Sequence, residues 1–227
     1  VLRWLKAHTP DLLCLQELKV EDGKFPADAI RAAGYHAAVH GQKTYNGVAI
    51  LARSEPVDVR CGLDDGVDDP QARLVSAVVG GTRVIDVYVP NGGEVGSDKW
   101  TYKLAWLVRL RRYLETFNIA PHDSDVADPV VWRDGVLCHP DVRSELEALT
   151  AWGLIDLFGR EHPNGGIYSW WDYRRGAFEN DDGLRIDLIL ATEPVADLCA
   201  ETFIDRDERD GKSPSDHAPV VAIFDTD

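Results

Sequence analysis

The sequence is poor in cysteine and has no long hydrophobic run. Its four cysteines lie far apart and form no CxxC pair. This pattern predicts free thiols in a reducing compartment and argues against a zinc site or a disulfide framework. No apolar stretch approaches the roughly 18 residues that a membrane span requires, and no signal peptide is visible. The composition therefore predicts a globular protein that does not enter a membrane.

Methionine is absent altogether, and residue 1 is a valine. This valine directly precedes a segment, residues 2–7 (LRWLKA), that already has the pattern of a helix. Because a natural chain begins at a start codon, we expect that an N-terminal segment is missing from this sequence.

Basic residues are outnumbered by acidic ones. The chain has 24 Lys and Arg against 39 Asp and Glu, which gives a formal net charge of -15. Non-specific affinity for nucleic acid comes mostly from Lys and Arg that neutralise phosphates, so the composition excludes a protein coated with basic charge. A local basic face is still compatible with these totals. The bases that could form it are Lys43, Lys99, Lys103, Arg174, Arg175 and Arg185.

Segments of strand type outnumber helices along the 227 residues. Strands are predicted at 11–16, 35–39, 47–52, 57–60, 73–79, 83–89, 154–157, 185–191, 200–204 and 218–224. Helices are predicted at 26–33, 98–114 and 141–152, besides the opening one. Helices interspersed among strands in this way indicate a mixed α/β fold with two packed sheets. No linker, repeat or low-complexity tract divides the chain, so we predict a single domain over residues 1–227.

Polar residues at the ends of predicted strands are the candidates for a functional site. Glu17 follows an apolar run, where its carboxylate is well placed to hold a hard cation such as Mg²⁺. Tyr88 and Asn91, in YVPNGG, offer a hydroxyl and an amide of the kind that bind phosphate, and Asn118 opens the FNIAP loop. Taken singly, each of these residues also fits a surface position or a plain turn.

Two carboxylates and a histidine in the last quarter of the chain complete the set. Asp187 lies inside an otherwise apolar segment, LRIDLILA, and a buried carboxylate needs a partner. Asp216 and His217, in PSDHAPV, precede the final strand, and an Asp–His pair can orient an imidazole near a phosphate. Carboxylates, one His, one Tyr and two amides, without a nucleophilic Ser or Cys constellation, suit metal-assisted attack of water on a phosphodiester.

Seven motifs occur in an order that resembles one known family. They are LCLQELKV, GQKTYNGVAIL, VYVPNG, FNIAPHDSDV, YSWWDYR, GLRIDLILAT and PSDHAPV. With these motifs, which span the whole chain, the sequence resembles the exonuclease III family of apurinic/apyrimidinic endonucleases, in the endonuclease/exonuclease/phosphatase superfamily. The resemblance implies a four-layer α/β/β/α sandwich of two mixed β-sheets flanked by helices.

The same resemblance implies a DNA-repair nuclease. Its activity would be cleavage of the DNA backbone 5′ to abasic sites, dependent on Mg²⁺ or Mn²⁺, with 3′→5′ exonuclease and 3′-end repair activities. Its partner would be double-stranded DNA with abasic sites or 3′ ends. The enzyme would act as a monomer in the bacterial cytoplasm, near the nucleoid and not at a membrane.

Roles at the reacting phosphate are implied by position. Glu17 resembles the metal-ligand glutamate of the family, and Asp216 a secondary metal-site or supporting carboxylate. Tyr88 and Asn91 resemble the pair that contacts phosphate. Asn118 resembles the asparagine that helps to position the phosphate and the attacking water.

Further roles are implied in the last third of the chain. His217 resembles the histidine that contacts the scissile phosphate, with Asp187 holding its other nitrogen. A pocket for the flipped-out abasic sugar and one more DNA contact are also implied. The pocket residues are Trp170, Leu184 and Ile186, and the further contact is Arg174. Leu184 and Ile186 are two apart on a predicted strand and so face the same way, but ordinary core is an equal alternative for the three pocket residues.

One stretch departs from the family. The family's metal loop reads Gly-Asp-Phe-Asn after a buried strand, whereas Phe117 follows Glu115 and Thr116 here. The acid that resembles the general base, or the group that orients the water, is missing together with its strand. We expect that this segment and the opening strand are missing from the sequence and not from the protein. If the acid is truly deleted, we expect an inactive nuclease.

Other functions remain open from the sequence alone. A phosphodiesterase or phosphatase of the same superfamily, acting on a lipid or inositol phosphate, would use the same metal-binding residues. A relative that has lost its acid would bind DNA without cutting it. Glu94 also stands in a loop where some relatives present a basic residue to DNA, which leaves that DNA contact open.

Overall fold

The computed structural model describes residues 1–113, 120–210 and 213–225. Contacts divide the chain into two compact units, Val1–Val89 (the first unit) and Pro90–Asp227 (the second unit). The single domain over residues 1–227 stays a prediction. Among the described residues, no helix is long and apolar enough to cross a membrane.

The first unit contains two helices and six strands. They are α1 (Leu2–His8), β1 (Leu12–Leu15), α2 (Ala27–Ala32), β2 (His36–His40), β3 (Val48–Ala52), β4 (Val57–Cys61), β5 (Leu74–Val79) and β6 (Thr82–Val87). The strands form two antiparallel sheets, with the orders β1-β3-β2 and β4-β5-β6. Gly80 and Gly81, both at positive φ, make the tight turn between β5 and β6, as the sequence predicted.

Strand β3 forms the centre of the first unit because both of its faces are covered. Ala49 and Leu51 pack into the cluster that includes residues of α1 and α2. Val48 and Ile50 point the other way and pack against β5 of the second sheet. Burial of each such Val, Leu or Ile side chain contributes about 1.5–3 kcal/mol. The uninterrupted apolar run at 48–52 therefore marks a strand between a helical layer and a second sheet.

The second unit is richer in helices. Its elements are α3 (Asp98–Tyr113), α4 (Pro129–Trp132), α5 (Pro140–Trp152), β7 (Leu154–Asp156), α6 (Leu157–Glu161), β8 (Leu190–Thr192), α7 (Glu193–Ala196), β9 (Cys199–Ile204) and β10 (Val220–Phe224). Its sheets are the antiparallel pairs β7-β8 and β9-β10. Three short 3₁₀ turns, at Asp22–Lys24, Asp123–Asp125 and Arg206–Arg209, complete the described elements.

The strand predicted at 185–191 forms only in its last part. The described strand begins at Leu190, and residue 184 makes only isolated bridges. The backbone N–H groups of Ile186 and Asp187 donate instead to the Ser169 hydroxyl, at 3.1 Å each. A side chain thus takes the place of a strand partner, which no periodicity in the sequence reveals.

The strands are arranged in small antiparallel sheets. The described strands form four small sheets, and every described pairing between them is antiparallel. The segment around Thr116–Phe117, where the sequence lacks a strand of the family pattern, lies outside the described residues.

Candidate active site

The glutamate cluster, made of Gln16, Glu17, Lys19 and Tyr88, lies in the first unit. Glu17 and Lys19 both have positive φ, and backbone bonds from Leu18 and Lys19 to residues 46–47 fix this bend. Two donors converge on the Glu17 carboxylate. The Tyr88 hydroxyl donates to Oε1 at 2.7 Å, and the Lys19 ammonium pairs with Oε2 at 2.9 Å.

Tyr88 acts in this cluster as a hydrogen-bond donor. Burial, and then the hydrogen bond to Glu17, raise the pKa of the Tyr88 phenol above its ordinary value. Arg73 supports the residue, because its guanidinium lies 4.9 Å from the centre of the ring and donates to the Tyr88 carbonyl at 3.1 Å. The phenol therefore keeps its proton at neutral pH and presents it to the carboxylate.

Beneath the glutamate cluster lies a buried acid that the sequence interpretation missed. Asp86, only 2% exposed, accepts a hydrogen bond from the Gln16 amide through Oδ1. Its other oxygen, Oδ2, is buried and has no hydrogen-bond partner among the described residues. Burial raises the pKa of Asp86 to about 7. The signal was available, since Asp86 is the one charged residue in the apolar stretch VIDVYV.

Asn91 begins the loop that follows the first unit. Its side-chain oxygen accepts from the Gly93 backbone at 3.0 Å, and its carbonyl accepts from Lys103 at 3.4 Å. Lys103 is fully buried, also donates to the Val136 carbonyl at 2.7 Å, and has its pKa lowered by burial to about 8. Gly92, at φ +92°, lies so close that a Cβ would be 2.9 Å from the Lys103 side chain. Lys103 therefore fixes the backbone of the Asn91 loop, and sequence patterns gave no sign of this role.

The histidine cluster, made of Ser169, Asp187 and His217, lies in the second unit. Both carboxylate oxygens of Asp187 lie within 3.0 Å of His217 Nδ1. Ser169, which is fully buried, accepts the Asp187 backbone N–H. A carboxylate on Nδ1 fixes the ring orientation and leaves Nε2 as the nitrogen that can face a substrate. The predicted Asp187–His217 pairing is thus present.

Trp170 and Asp216 lie next to the histidine cluster. The Trp170 indole N–H donates to Asp216 Oδ2 at 3.1 Å, and Trp170 bridges His217 through its backbone. Leu184 and Ile186, 0% and 4% exposed, belong to one apolar cluster against which Trp170 packs. This degree of burial is that of ordinary core, the alternative to a sugar pocket, so the place of these two residues in a pocket stays a prediction. Arg185, between them, points elsewhere and forms buried ion pairs with Asp125 and Asp156 at 2.7 and 2.8 Å.

Comparison with known proteins identifies the family. The Endonuclease/Exonuclease/phosphatase family matches residues 1–217. The chain belongs to this family. Exodeoxyribonuclease III of Haemophilus influenzae is 34% identical over 245 residues, covering 97% of this chain and 92% of the relative. These relatives confirm the prediction of a hydrolytic DNA-repair nuclease. Metal dependence is a property of the family.

Solved structures agree with this assignment. An AP endonuclease from Archaeoglobus fulgidus matches with a TM-score of 0.93 and 41% identity, covering 100% of this chain and 93% of that one. The 3′ phosphatase NExo from Neisseria, bound to a product DNA hairpin, matches with a TM-score of 0.95 and 42% identity, covering 99% and 92%. The predicted α/β fold class is confirmed by these matches.

Glu17 fits the metal ion on which the family depends. A carboxylate oxygen is the ligand that Mg²⁺ prefers, and Mg²⁺ keeps several waters, so its ligand must be reachable by solvent. The Glu17 side chain is 40% exposed and stands at a fixed bend. Its carboxylate is therefore suited to a hydrated hard cation.

Two predicted residues of this nuclease need separate comment. Arg174 is 84% exposed and forms a two-point pair with Asp172, at 2.9 and 2.6 Å, so its contact with DNA stays a prediction. Asn118 lies outside the described residues, as does the Thr116–Phe117 junction.

The alignment with the Haemophilus enzyme runs over 245 residues, longer than the 227 of this chain. Part of that alignment therefore has no residue of this chain opposite it.

Proposed function

We propose that the protein cleaves double-stranded DNA 5′ to abasic sites, and that it also removes nucleotides and blocking groups at 3′ ends. The observation that carries the proposal is the Asp187–His217 pair, which lies next to Trp170 at an apolar cluster. An oriented imidazole suits a phosphodiester, and the partly buried Trp170 indole beside it offers an apolar surface to a sugar without its base. The similarity to an AP endonuclease and to a DNA-bound 3′ phosphatase supports the same assignment.

The reaction is a hydrolysis of one phosphorus–oxygen bond. Water attacks phosphorus, the bond to the 3′ oxygen breaks, and that oxygen leaves with a proton as a hydroxyl. His217, held by Asp187, would contact a phosphoryl oxygen and stabilise the charge that develops there. Tyr88 and Asn91 would contribute a hydroxyl and an amide to phosphate binding, and Asn118 would position the phosphate and the water.

Glu17 would hold the cation, Mg²⁺ or alternatively Mn²⁺. When bound, such a cation supplies Lewis-acid polarisation of a phosphoryl oxygen. Asp216 is proposed as a supporting carboxylate, and its Oδ2 accepts the Trp170 indole N–H. A monomeric state and a cytoplasmic location near the nucleoid belong to the same proposal.

The decisive assay uses matched duplexes. One carries a single tetrahydrofuran abasic analogue, one a 3′ phosphate and one neither lesion, each incubated with Mg²⁺, with Mn²⁺ or with EDTA. We expect a single cut 5′ to the analogue and release of the 3′ phosphate, both abolished by EDTA. No cleavage of DNA, together with hydrolysis of an inositol phosphate in a parallel assay, would overturn the proposal.

Net charge provides a second test. With a formal charge of -15, the protein binds DNA only if its bases are concentrated on one face, which would focus the field there. We therefore expect affinity for the abasic duplex to fall steeply as salt rises. Affinity that does not change between 50 and 200 mM salt, roughly the range over which such contacts weaken, would contradict a basic DNA-binding face.

A second function is favoured by one specific observation. The Gly-Asp that precedes Phe-Asn in the family is absent here, where Glu115 and Thr116 precede Phe117, so a DNA-binding relative without catalysis is the alternative. Sequencing the native gene across the Thr116–Phe117 junction separates the two. An intervening strand with its Asp supports the nuclease, and a continuous reading frame with tight binding but no cleavage supports the alternative.

A further inference from the structure

Arg209 is a buried arginine that lies among aromatic rings. It ends the 3₁₀ turn Arg206–Arg209 and is only 6% exposed. Its guanidinium carbon lies 4.9 Å from the centre of the Phe178 ring, 5.5 Å from that of Tyr173 and 5.9 Å from that of Trp171. These distances are those of cation–π contacts, which hold a guanidinium in place. Burial of a charged group is costly unless its donors are used, so the hydrogen bonds of Arg209 matter.

The Arg209 side chain reaches the loop that carries His217. Its Nη1 donates to the backbone carbonyl of Ser215, two residues before the histidine. Its Nε is buried and has no hydrogen-bond partner among the described residues. The aromatic rings thus fix the guanidinium, and the guanidinium in turn fixes the Ser215 carbonyl.

Other donors hold the two neighbouring carbonyl groups of this loop, residues 214–217. The Tyr173 hydroxyl donates to the Pro214 carbonyl at 2.7 Å, and the Trp171 backbone N–H donates to the Asp216 carbonyl at 3.0 Å. Three successive carbonyl oxygens therefore each accept from a different residue. Two of these donors belong to the segment 171–173, whereas the third, the Arg209 guanidinium, ties the loop to a separate element.

We propose that Arg209 is a positioning residue for the reaction, which holds Ser215 so that the His217 imidazole keeps its Nε2 towards the phosphate. The inference rests on the proposed function, because the role of the imidazole is part of it. Asp187 holds the ring at Nδ1 but does not hold the backbone from which the ring projects. The Ser215 hydroxyl accepts the His217 backbone N–H at 3.1 Å, so a displacement of residue 215 moves the histidine with it.

Two variants of Arg209 separate positioning from packing. Arg209→Met keeps a long side chain among the rings, since a thioether packs well on aromatic faces, but it removes the donor to Ser215. Arg209→Lys keeps a cation that can donate to the same carbonyl. If packing were the whole role of Arg209, the methionine variant would be the milder of the two.

Arg206→Met is the matched control. The Arg206 guanidinium also lies 4.9 Å from the centre of the Phe178 ring, and it belongs to the same 3₁₀ turn. Its hydrogen bonds go to Asp181 and to the Phe178 carbonyl, and among the described residues it makes none to the loop 214–217. The control therefore removes a stacked arginine without touching the loop of His217.

Turnover of the abasic duplex at saturating Mg²⁺ is measured in each variant, alone and combined with His217→Ala. We expect Arg209→Met to lower turnover about 10- to 100-fold, since a displacement of about 1 Å in a reacting group can cost that much. Arg209→Lys should recover part of this loss, and Arg206→Met should stay within about twofold of the wild type. In the His217→Ala background, Arg209→Met should cost less than about twofold, because the arginine acts through the imidazole.

Two results of these assays would overturn the proposal. One is the same fold loss from Arg209→Met with and without His217, and the other is equal turnover in Arg209→Met and Arg206→Met. If Arg209→Met does not fold, Arg209→Lys is compared with Arg206→Met in the same two backgrounds, with a smaller loss expected and the same two results against it.

The orientation of the ring has a readout that needs neither DNA nor metal. The chain has seven histidines, and the spectrum of His217→Ala assigns the His217 ring among them by ¹H–¹⁵N NMR of the side-chain nitrogens. We expect Arg209→Met to shift or broaden the His217 signals and Arg206→Met to leave them in place. Unchanged signals in Arg209→Met would also overturn the proposal. If the wild-type chain cleaves neither an abasic duplex nor a 3′ phosphate, the proposed function fails, and this spectrum still decides whether Arg209 positions the ring.

Discussion

The glutamate cluster and the histidine cluster use the same functional group in opposite ways. In the glutamate cluster, Tyr88 and Lys19 converge on the Glu17 carboxylate, so the carboxylate is the group that is presented. In the histidine cluster, the Asp187 carboxylate lies behind His217 and holds its Nδ1, so the imidazole is presented. The surroundings of a carboxylate, and not its identity, decide whether it serves as a ligand or as a support.

The two clusters also differ in the buried residue that supports each of them. Beneath Glu17 lies Asp86, a buried acid. One of its oxygens has no hydrogen-bond partner in the described part of the chain, and its pKa is raised to about 7. Beneath Asp187 lies Ser169, a neutral hydroxyl that accepts two backbone N–H groups. The glutamate cluster should therefore depend on pH through its support, whereas the support of the histidine cluster does not titrate.

Removal of the His217 imidazole should lower turnover more than any other change considered. We expect His217→Ala to lower the turnover of an abasic duplex about 10³-fold, at the upper end of the range for loss of one group that stabilises charge in the transition state. Asp187→Asn, which keeps the shape but loses the charge, should cost about 10- to 100-fold. Initial rates at saturating Mg²⁺ measure both. His36→Ala, an exposed histidine on β2, serves as the control, and near-normal turnover in His217→Ala would refute the role of the imidazole.

Asp86, the buried acid beneath the glutamate cluster, should make the free energy of unfolding depend on pH. The pKa of Asp86 is raised from 3.8 to about 7, so between those values the folded protein holds a proton that the unfolded chain has lost. Its contribution to the free energy of unfolding is present below about pH 4 and is lost as pH rises through 7. Asp86→Asn should therefore stabilise the protein by about 2–4 kcal/mol at pH 8 and much less at pH 5.

Urea unfolding at several pH values measures this difference. Asn keeps the size of Asp86 and an acceptor for the Gln16 amide, and it removes the charge that burial disfavours. Asp64→Asn, in an exposed loop, is the matched control. If Asp86→Asn and the wild type lose stability in parallel from pH 5 to pH 8, the buried acid is not the cause.

Loss of the Glu17 carboxylate should lower the affinity of the protein for its metal ion. Glu17→Gln keeps an acceptor for Tyr88 but removes the charge, so we expect the affinity for Mn²⁺ to fall by at least about tenfold to 100-fold. Titration of Mn²⁺ followed by electron paramagnetic resonance measures binding without any turnover. Glu21→Gln, which breaks only the exposed pair with Lys24, should leave the affinity unchanged. Equal affinities in wild type and Glu17→Gln would place the ion elsewhere.

Much of the fold could be predicted from the sequence because it depends on local patterns. The run at 48–52 has no polar residue, and this marks β3 as buried on both faces. The spacing of leucines over 98–114 gave α3 to within one residue of the described Tyr113. The Asp187–His217 pair was predicted only through the family resemblance, because a carboxylate inside an apolar segment needs a partner but does not reveal which one.

What could not be predicted depends on contacts between distant side chains. Ser169 replaces a strand partner for residues 186–187, and Lys103 reaches the carbonyl oxygens of Asn91 and Val136. Trp132 meets Trp170 across 38 positions of sequence. None of these contacts produces a periodic pattern or a motif in the sequence. A Ser, a Lys or a Trp at these positions would fit an ordinary surface or core role equally well.

Tyr88 allows the finest test of how the glutamate cluster works. Tyr88→Phe keeps the ring over Arg73 and removes only the hydroxyl that donates to Glu17 at 2.7 Å. A hydrogen bond to a charged group contributes about 1.5–3 kcal/mol, and Lys19 still pairs with the carboxylate, so we expect a loss of turnover of only about tenfold. Because burial raises the pKa of the Tyr88 phenol, the hydroxyl stays protonated over the alkaline range. The pH–rate profile of Tyr88→Phe should then run parallel to that of the wild type up to pH 10, roughly the ordinary value for a tyrosine. An alkaline decline that disappears in Tyr88→Phe would mean that the phenol ionises during turnover, and the carboxylate would then face a phenolate and not a donor.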